Sequence, residues 1–238
     1  MSESSGRDLR EYADLAERFI AARFPAVSIA VIGGSTSRGE RTRSSDIDLL
    51  LIGDGMLGDG EIGRAETLAF EGEVFEVFAY TPAGFQEWAQ RGIRRRRPVI
   101  VHMLVEGMPV RTGDGFDELR HAWAETLAAG PSVAPEEVAL LRYVVSDVLD
   151  DLRDAVDPLE RHVLAATLFE KTAELMLLAE RRWIGTGKYL PRRLRILGED
   201  RVAALSAPLL SGDLAALADA AERELERAGG RLQAGFVR

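Results

Sequence analysis

The sequence contains no cysteine among its 238 residues. It therefore cannot form a disulfide, bind a metal through thiolates or use a cysteine nucleophile. Its three histidines, at positions 102, 121 and 162, show no mutual ligand spacing, so we assign them no metal role. No apolar run approaches the length of a membrane span, and residues 1–10 lack the apolar stretch of a signal peptide. We expect a cytoplasmic protein.

Basic residues are fewer than acidic ones: the chain has 30 Lys and Arg and 39 Asp and Glu, which gives a formal net charge of −9. An acidic chain is a poor general ligand for nucleic acid, although a local basic patch can override the net charge. We therefore expect a small-molecule partner, neither nucleic acid nor membrane, and a monomer or homodimer. Hydrophobic residues make up 46% of the chain, which is enough to bury a sizeable core.

The first half of the chain alternates between helical and strand patterns. Apolar residues at helical spacing predict helices over 8–22 and 82–92. Short apolar runs bounded by turn residues predict strands over 27–32, 47–52, 68–70, 74–80 and 99–105. A hairpin turn is expected at 71–73, and turn signals follow at Gly107, Pro109, Gly113 and Gly115.

The second half shows helical periodicity throughout. It predicts helices near 116–128, 135–154, 158–183, 199–206 and 212–228. A helix stop followed by a proline-led helix start lies between residues 129 and 135. We therefore predict an α/β domain over 1–130, with a mixed sheet flanked by helices, and an α-helical bundle domain over 131–238.

The segment from Gly33 to Leu51 combines a glycine-rich turn with two carboxylates. Glycines let backbone approach a phosphate closely, and N–H groups at the start of a short helix attract anions, so Gly34 and Ser35 are candidate phosphate ligands. Asp46 and Asp48 are two residues apart on a predicted strand, so they share a face while Ile47 and Leu49 point to the core. One or two carboxylates plus substrate phosphates form a typical Mg²⁺ site.

A third carboxylate is expected on a neighbouring strand, either to bind metal or to take a proton from an attacking hydroxyl. Glu76 is the best candidate, since it interrupts the apolar run 74–78, where a buried unpaired charge is costly. The alternative is that Glu76 faces solvent. Asp-x-Asp and Gly-Gly-Ser are each common on their own, and it is their combination with a third acid that favours phosphoryl or nucleotidyl transfer.

Together, Gly34-Ser35, Asp46-Ile47-Asp48 and Glu76 resemble the signature of the nucleotidyltransferase superfamily that includes DNA polymerase β. The run 75–78 resembles the third-carboxylate strand of kanamycin-type enzymes. The resemblance is specific over roughly 27–80. It implies a mixed sheet, a cleft between two domains, Mg²⁺ and a nucleoside triphosphate donor, with ATP the first choice. The helical half resembles the acceptor domain of aminoglycoside nucleotidyltransferases only in outline.

Two further basic residues are candidate nucleotide ligands. Arg38 either contacts phosphate or ties down the loop by pairing with a carboxylate. Lys188 follows a long helix on a glycine-rich connection and is proposed to reach the triphosphate, with a helix-capping loop as the equal alternative.

Two charged clusters have simpler interpretations. The arginine run at 91 and 94–97 has no interleaved aromatic residue, which favours a solvated helix end over a nucleic acid or polyphosphate site. Arg97 and His102 have the spacing of a nuclease motif that belongs on a helix, and we discount it because 99–105 is predicted as a strand. The acidic face at 147, 151 and 154 is a solvated surface or, less favoured, a contact for a cationic acceptor.

The leading hypothesis is an Mg²⁺-dependent enzyme that transfers a nucleoside monophosphate from a triphosphate to a hydroxyl of a small acceptor, of which an aminoglycoside is one example, and releases pyrophosphate. Its metal ligands are Asp46, Asp48 and Glu76. The alternatives are a non-catalytic nucleotide-binding protein and an antitoxin-like partner protein of the same fold.

Overall fold

The computed structural model of the protein describes residues 7–233, so residues 1–6 of the polar N-terminal stretch lie outside it. The chain divides into two compact units, Met1–Ala129 and Gly130–Arg238. The first unit contains the β-sheet, and the described part of the second is helical. No helix between residues 7 and 233 is both long and apolar enough to cross a membrane.

The first unit is built on a five-stranded mixed sheet. Its strands are β1 (Ile29–Ile32), β2 (Ile47–Ile52), β3 (Gly63–Phe70), β4 (Glu73–Tyr80) and β5 (Met108–Thr112), in the order β3-β4-β2-β1-β5. The central pair β2 and β4 is parallel, whereas every other neighbouring pair is antiparallel. A mixed sheet flanked by helices confirms the predicted α/β class.

Five helices accompany the sheet: α1 (Leu9–Arg23), α2 (Gly34–Ser37), α3 (Pro82–Arg94), α4 (Val99–Glu106) and α5 (Phe116–Ala129). Asp8 caps α1 by accepting hydrogen bonds from two backbone N–H groups, and Thr81 caps α3 by accepting one from Gly84. Residues of α1 pack on one face of the sheet, and residues of α3, α4 and α5 pack on the other.

Successive side chains of the central strands point to opposite faces of the sheet, so each strand contributes to both hydrophobic cores. Ile47 and Leu49 of β2 are fully buried against α1, while Leu50 lies in the core that α3 to α5 cover. Because side chains two apart share a face, Asp48 belongs to the α3–α5 face, at its open end. The same argument places Glu76 of β4 on that face.

The predicted strand over 99–105 is wrong, because these residues form helix α4. The run is apolar at almost every position, so neither period can be read from it, and short apolar runs are ambiguous between strand and helix. In the structure Ile100, Val101 and Leu104 are buried while Val99 is 58% exposed, which is a helical distribution. The Arg97–His102 motif belongs on a helix, but α4 begins only at Val99, after Arg97, and His102 Nδ1 lies 2.7 Å from Glu106 Oε1 of its own helix, so we still assign the spacing no role.

Residues Met108–Thr112 form strand β5, although Pro109 and the flanking glycines predict turns there. It pairs with β1 at the edge of the sheet, with an irregularity between Ala30 and Val31. Proline cannot donate to a ladder and is tolerated at an edge, which explains both the strand and the failure to predict it.

The second unit contains α6 (Pro135–Asp154), α7 (Pro158–Ala179), α8 (Tyr189–Leu194), α9 (Glu199–Ser211) and α10 (Leu214–Arg227). Helix α7 ends before the predicted residue 183, and the short α8 was not predicted. Glu224 is 5% exposed, and Arg201 neutralises it from 2.7 Å with a second hydrogen bond at 3.0 Å. Removal of one partner from such a pair destabilises the fold, because it leaves the other charge buried without compensation.

The α1 side of the sheet depends on an aromatic stack. The rings of Phe19 and Phe75 lie 4.2 Å apart at an interplanar angle of 4°, and both side chains are fully buried. We expect Phe19→Ala to lower the free energy of unfolding by about 3–5 kcal/mol, because it removes the stack and leaves a cavity. The control Val74→Ala, at a position that is 45% exposed, should change it by about 1 kcal/mol or less. Urea denaturation followed by circular dichroism measures both, and equal losses would contradict the packing described.

Candidate functional site

Three carboxylates converge at one end of the β2–β4 pair. Asp46 directly precedes β2, Asp48 is its second residue, and the parallel register sets Asp48 opposite Glu76. Each offers an oxygen that lies within 4.8 Å of the oxygens of the other two, and all three residues are half-buried. The structure thus brings together the three acids that the sequence singled out.

A glycine turn lies directly against this cluster. Gly34 has φ +63°, and a Cβ at this position would lie 1.6 Å from Asp48 Oδ2. The backbone N–H of Gly33 donates to the Asp48 carbonyl at 2.8 Å, which ties the turn to β2. Only glycine allows the backbone to approach the carboxylate this closely while adopting a left-handed conformation. Ser35, which is 9% exposed, follows on α2.

Arg41 fixes the segment that leads into the carboxylates, and sequence reasoning missed it. Its guanidinium donates to the carbonyl of Asp46 at 3.0 Å, to that of Ser45 at 2.8 Å and to Thr36 Oγ1 at 3.0 Å. It also forms an ion pair with Glu73 at 2.7 Å and lies over the ring of Tyr12, 4.7 Å from its centroid. Arginine presents five N–H donors in a fixed planar arrangement, which suits such a multiple contact. The only sequence signal was an arginine five residues before an Asp-x-Asp motif, which is too common to single out.

Two partners of Arg41, Thr36 and Glu73, also help to fix the start of β2. Thr36 is 1% exposed and donates to the Asp46 carbonyl at 3.4 Å, so α2 and the start of β2 are joined twice. Glu73, at the end of the predicted hairpin turn, is the first residue of β4; it pairs with Arg41 and also with Arg7. These contacts hold the backbone of Asp46 in place while its side chain joins the cluster.

Arg38 pairs with Glu40 at 2.9 Å on an exposed part of the loop. This contact is the second of the two roles considered for Arg38, in which it pairs with a carboxylate of its own loop. Contact of Arg38 with a phosphate stays a prediction.

Lys188 belongs to the second unit, where it directly precedes α8. It is exposed, and its ammonium lies 5.7 Å from the centroid of the Tyr189 ring. A contact of Lys188 with the triphosphate stays a prediction.

The acidic face of α6 is solvated. Asp147, Asp151 and Asp154 are exposed, and the neighbouring Asp150 pairs with Arg231. Exposed acidic side chains of this kind have no need of a ligand to stabilise them.

Gly34 and Gly39 provide a matched test of the turn, since both have positive φ but only Gly34 faces Asp48. Nothing lies within 4 Å of a Cβ built on Gly39, whose φ is +67°. We expect Gly39→Ala to cost about 1 kcal/mol of stability, from the backbone alone. Gly34→Ala should cost a further 1–3 kcal/mol or so, because the methyl group must displace the Asp48 carboxylate. Urea unfolding of both variants measures the difference, and an equal cost would show that the turn does not press on Asp48.

Comparison with known proteins agrees with this geometry. Residues 14–95 match the family model described as a nucleotidyltransferase domain, a segment that runs from within α1 to the residue after α3 and includes all three carboxylates. No curated protein matches the chain. A nucleotidyltransferase-like protein from Exiguobacterium sibiricum has a similar structure, with a TM-score of 0.47, 13% identity, and coverage of 91% of this chain and 75% of its own.

The structural similarity is too low to add to the assignment, and the closer resemblance to kanamycin-type enzymes stays a prediction. The assignment depends on the family model, which matches the segment that carries the carboxylates and the glycine turn. Residues 14–95 therefore match a nucleotidyltransferase domain, in agreement with the resemblance that the three carboxylates and the glycine turn show in the sequence.

Proposed function

We propose that this protein is an Mg²⁺-dependent enzyme that transfers a nucleoside monophosphate from a nucleoside triphosphate to a hydroxyl of an acceptor, with release of pyrophosphate. ATP is the first candidate for the donor. The observation that carries the proposal is the convergence of Asp46, Asp48 and Glu76 within 4.8 Å, beside a glycine turn.

The donor set fits magnesium. Mg²⁺ binds oxygen ligands at about 2.1 Å in an octahedron, so oxygens that share one ion are about 3 to 4 Å apart. One carboxylate oxygen from each acid of the cluster lies within 4.8 Å of the other two, which is close to that spacing. Three acids held this close repel one another unless nearby positive charge neutralises them. A bound divalent ion would neutralise the phosphate charge and favour the leaving group.

Each of the site residues has a role in the proposed reaction. Asp46, just before β2, and Asp48, within it, would hold the metal. Glu76 would either complete the set from β4 or accept the proton of the acceptor hydroxyl. The backbone at Gly34 and the hydroxyl of Ser35 donate to the β- and γ-phosphates. The acceptor oxygen forms a bond to the α-phosphorus while the bond from that phosphorus to the bridging oxygen breaks, and pyrophosphate leaves.

The complete set of three acids favours an enzyme over a catalytically idle nucleotide-binding protein or an antitoxin-like partner. A protein that only binds nucleotide needs charge neutralisation but no acid positioned to accept a proton. Acceptor binding by the helical second unit, which the resemblance implies, stays a prediction.

Replacement of a metal ligand tests the proposal directly. We expect Asp48→Asn to weaken Mn²⁺ binding at least tenfold, because the amide cannot replace the charge of a metal ligand. Pyrophosphate release should fall about 100-fold or more. Asp54→Asn is the matched control, since Asp54 is an exposed acid just after β2 and outside the cluster. Electron paramagnetic resonance of free Mn²⁺ and a coupled pyrophosphate assay with a panel of acceptors measure the two effects. Unchanged metal binding in Asp48→Asn would overturn the proposal.

Arg41 should act as a positioning residue, because it holds the backbone of Asp46 without belonging to the cluster. We expect Arg41→Ala to weaken Mn²⁺ binding by roughly tenfold, as for other residues that support a metal ligand. Arg43→Ala removes an exposed arginine from the same loop and should leave the affinity unchanged. A merely structural role would lower the midpoint of urea unfolding with no change in the metal affinity of the folded protein, so titrations are made on protein shown to be folded.

A further inference from the structure

A basic pocket of about 540 Å³ lies in the first unit, away from the carboxylates. Its walls come from the end of β4, from α3 and from the start of α4, and include Tyr80, Trp88, Arg91, Arg95, Arg97 and Val99. A volume of a few hundred cubic ångströms is typical of sites for small molecules. None of these residues has a part in the proposed chemistry at the carboxylates.

Aromatic rings form one wall of the pocket. The ring centroids of Tyr80 and Trp88 are 6.3 Å apart, and the Arg91 guanidinium lies 4.7 Å from the centroid of the Trp88 ring. Trp88 is 39% exposed, so a large apolar ring meets solvent here. An exposed indole with a stacked guanidinium is a suitable surface for another planar ring.

Positive charge dominates the rest of the pocket. Three arginines line it and no acidic residue does. In the part of the chain from 7 to 233, neither Arg91 nor Arg95 has a carboxylate at ion-pair distance. Burial raises the pKa of the Tyr80 phenol, so this hydroxyl stays neutral and adds no negative charge. The chain as a whole carries a formal charge of −9, which makes this concentration of arginines a local exception.

The helix places the aromatic and basic groups together. Trp88, Arg91 and Arg95 are three and four residues apart and therefore share one face of α3 and its end. The sequence analysis favoured a solvated helix end because no aromatic residue interrupts the arginine run. In the structure two aromatic residues lie beside the run: Trp88, one helical turn before it, and Tyr80 of β4.

The pocket lies on the same face of the sheet as the carboxylates. Glu76, Phe78 and Tyr80 alternate along β4 and share a face, and a rise of about 3.3 Å per residue sets Tyr80 roughly 13 Å beyond Glu76. The glycine turn follows β1, on the other side of β2, whereas the pocket adjoins β4. The carboxylates are therefore between the expected phosphate turn and the basic pocket.

We propose that the basic pocket binds the acceptor, and that this acceptor is a nucleoside phosphate, either free or at the end of an oligonucleotide. The inference rests on the proposed function for its acceptor role. The arginines bind the phosphate and the Trp88–Arg91 surface stacks with the base, while a ribose hydroxyl extends along β4 toward Glu76. A polycationic amino sugar would meet like charges here, so the pocket selects against an aminoglycoside-like acceptor.

Binding of adenosine monophosphate in the presence of EDTA tests the pocket separately from the metal site. Isothermal titration calorimetry should show one site in the wild-type protein and in Asp48→Asn. The double variant Arg91→Gln, Arg95→Gln should bind at least about tenfold more weakly, because it loses two charged hydrogen-bond donors. Arg94→Gln is the control, as it removes an exposed arginine of the same helix turn that does not line the pocket.

Three comparisons define the ligand. Adenosine and inorganic phosphate should each bind more weakly than the monophosphate, and Trp88→Leu should weaken binding of the monophosphate but not of phosphate. A five-residue oligoadenylate that binds through Arg91 and Arg95 more tightly than the monophosphate identifies a nucleic acid end as the source, and weaker binding identifies a free nucleotide.

The proposal is overturned if the monophosphate does not bind in EDTA, if the double variant binds it as the wild type does, or if phosphate binds equally well. It is also overturned if label from α-³²P-ATP is transferred to an amino sugar and not to nucleoside phosphates. Loss of Mg²⁺-dependent ATP binding alone, with binding in EDTA intact, would instead refute the proposed function of the carboxylates and leave the pocket as a nucleotide site.

Discussion

The parallel pairing of β2 with β4 is the constraint on which the rest of this site depends. It fixes Asp48 opposite Glu76, and the alternation of each strand sends both carboxylates to the same face. A shift of one residue in this register would move Glu76 into the core beneath α1 and Phe75 to the cluster. The fully buried Phe75 and its stack on Phe19 therefore help to set the position of the catalytic candidate next to it.

The supporting shell is as specific as the cluster itself. Gly34 gives the Asp48 carboxylate room that no other residue would leave, and Arg41 gathers Thr36, Ser45, Asp46 and Glu73 around the start of β2. Three acids held together raise the free energy of the fold unless their surroundings and a cation compensate them.

Local patterns in the sequence were sufficient to predict much of the sheet and the three carboxylates. The strand at 47–52, the hairpin at 71–73 and the three acids could be predicted because alternation, glycine and charge coincide there. Residues 99–105 could not, since a run that is apolar at nearly every position fits either period and only the buried face in the structure decides. Pro109 concealed β5 because its tolerance at a sheet edge depends on a topology that no local pattern reveals. Arg41 and the Tyr80 wall of the basic pocket were missed for the same reason, because Tyr12, Glu73 and Tyr80 reach their partners only through the fold.

A crystal structure with Mn²⁺ and a non-hydrolysable ATP analogue tests the central claim most directly. The account predicts anomalous density for manganese within about 2.2 Å of carboxylate oxygens from Asp46 and Asp48, with Glu76 beside it and the triphosphate along Gly34 and Ser35. Nucleotide bound elsewhere, or manganese absent from the three carboxylates while the nucleotide is present, would contradict it.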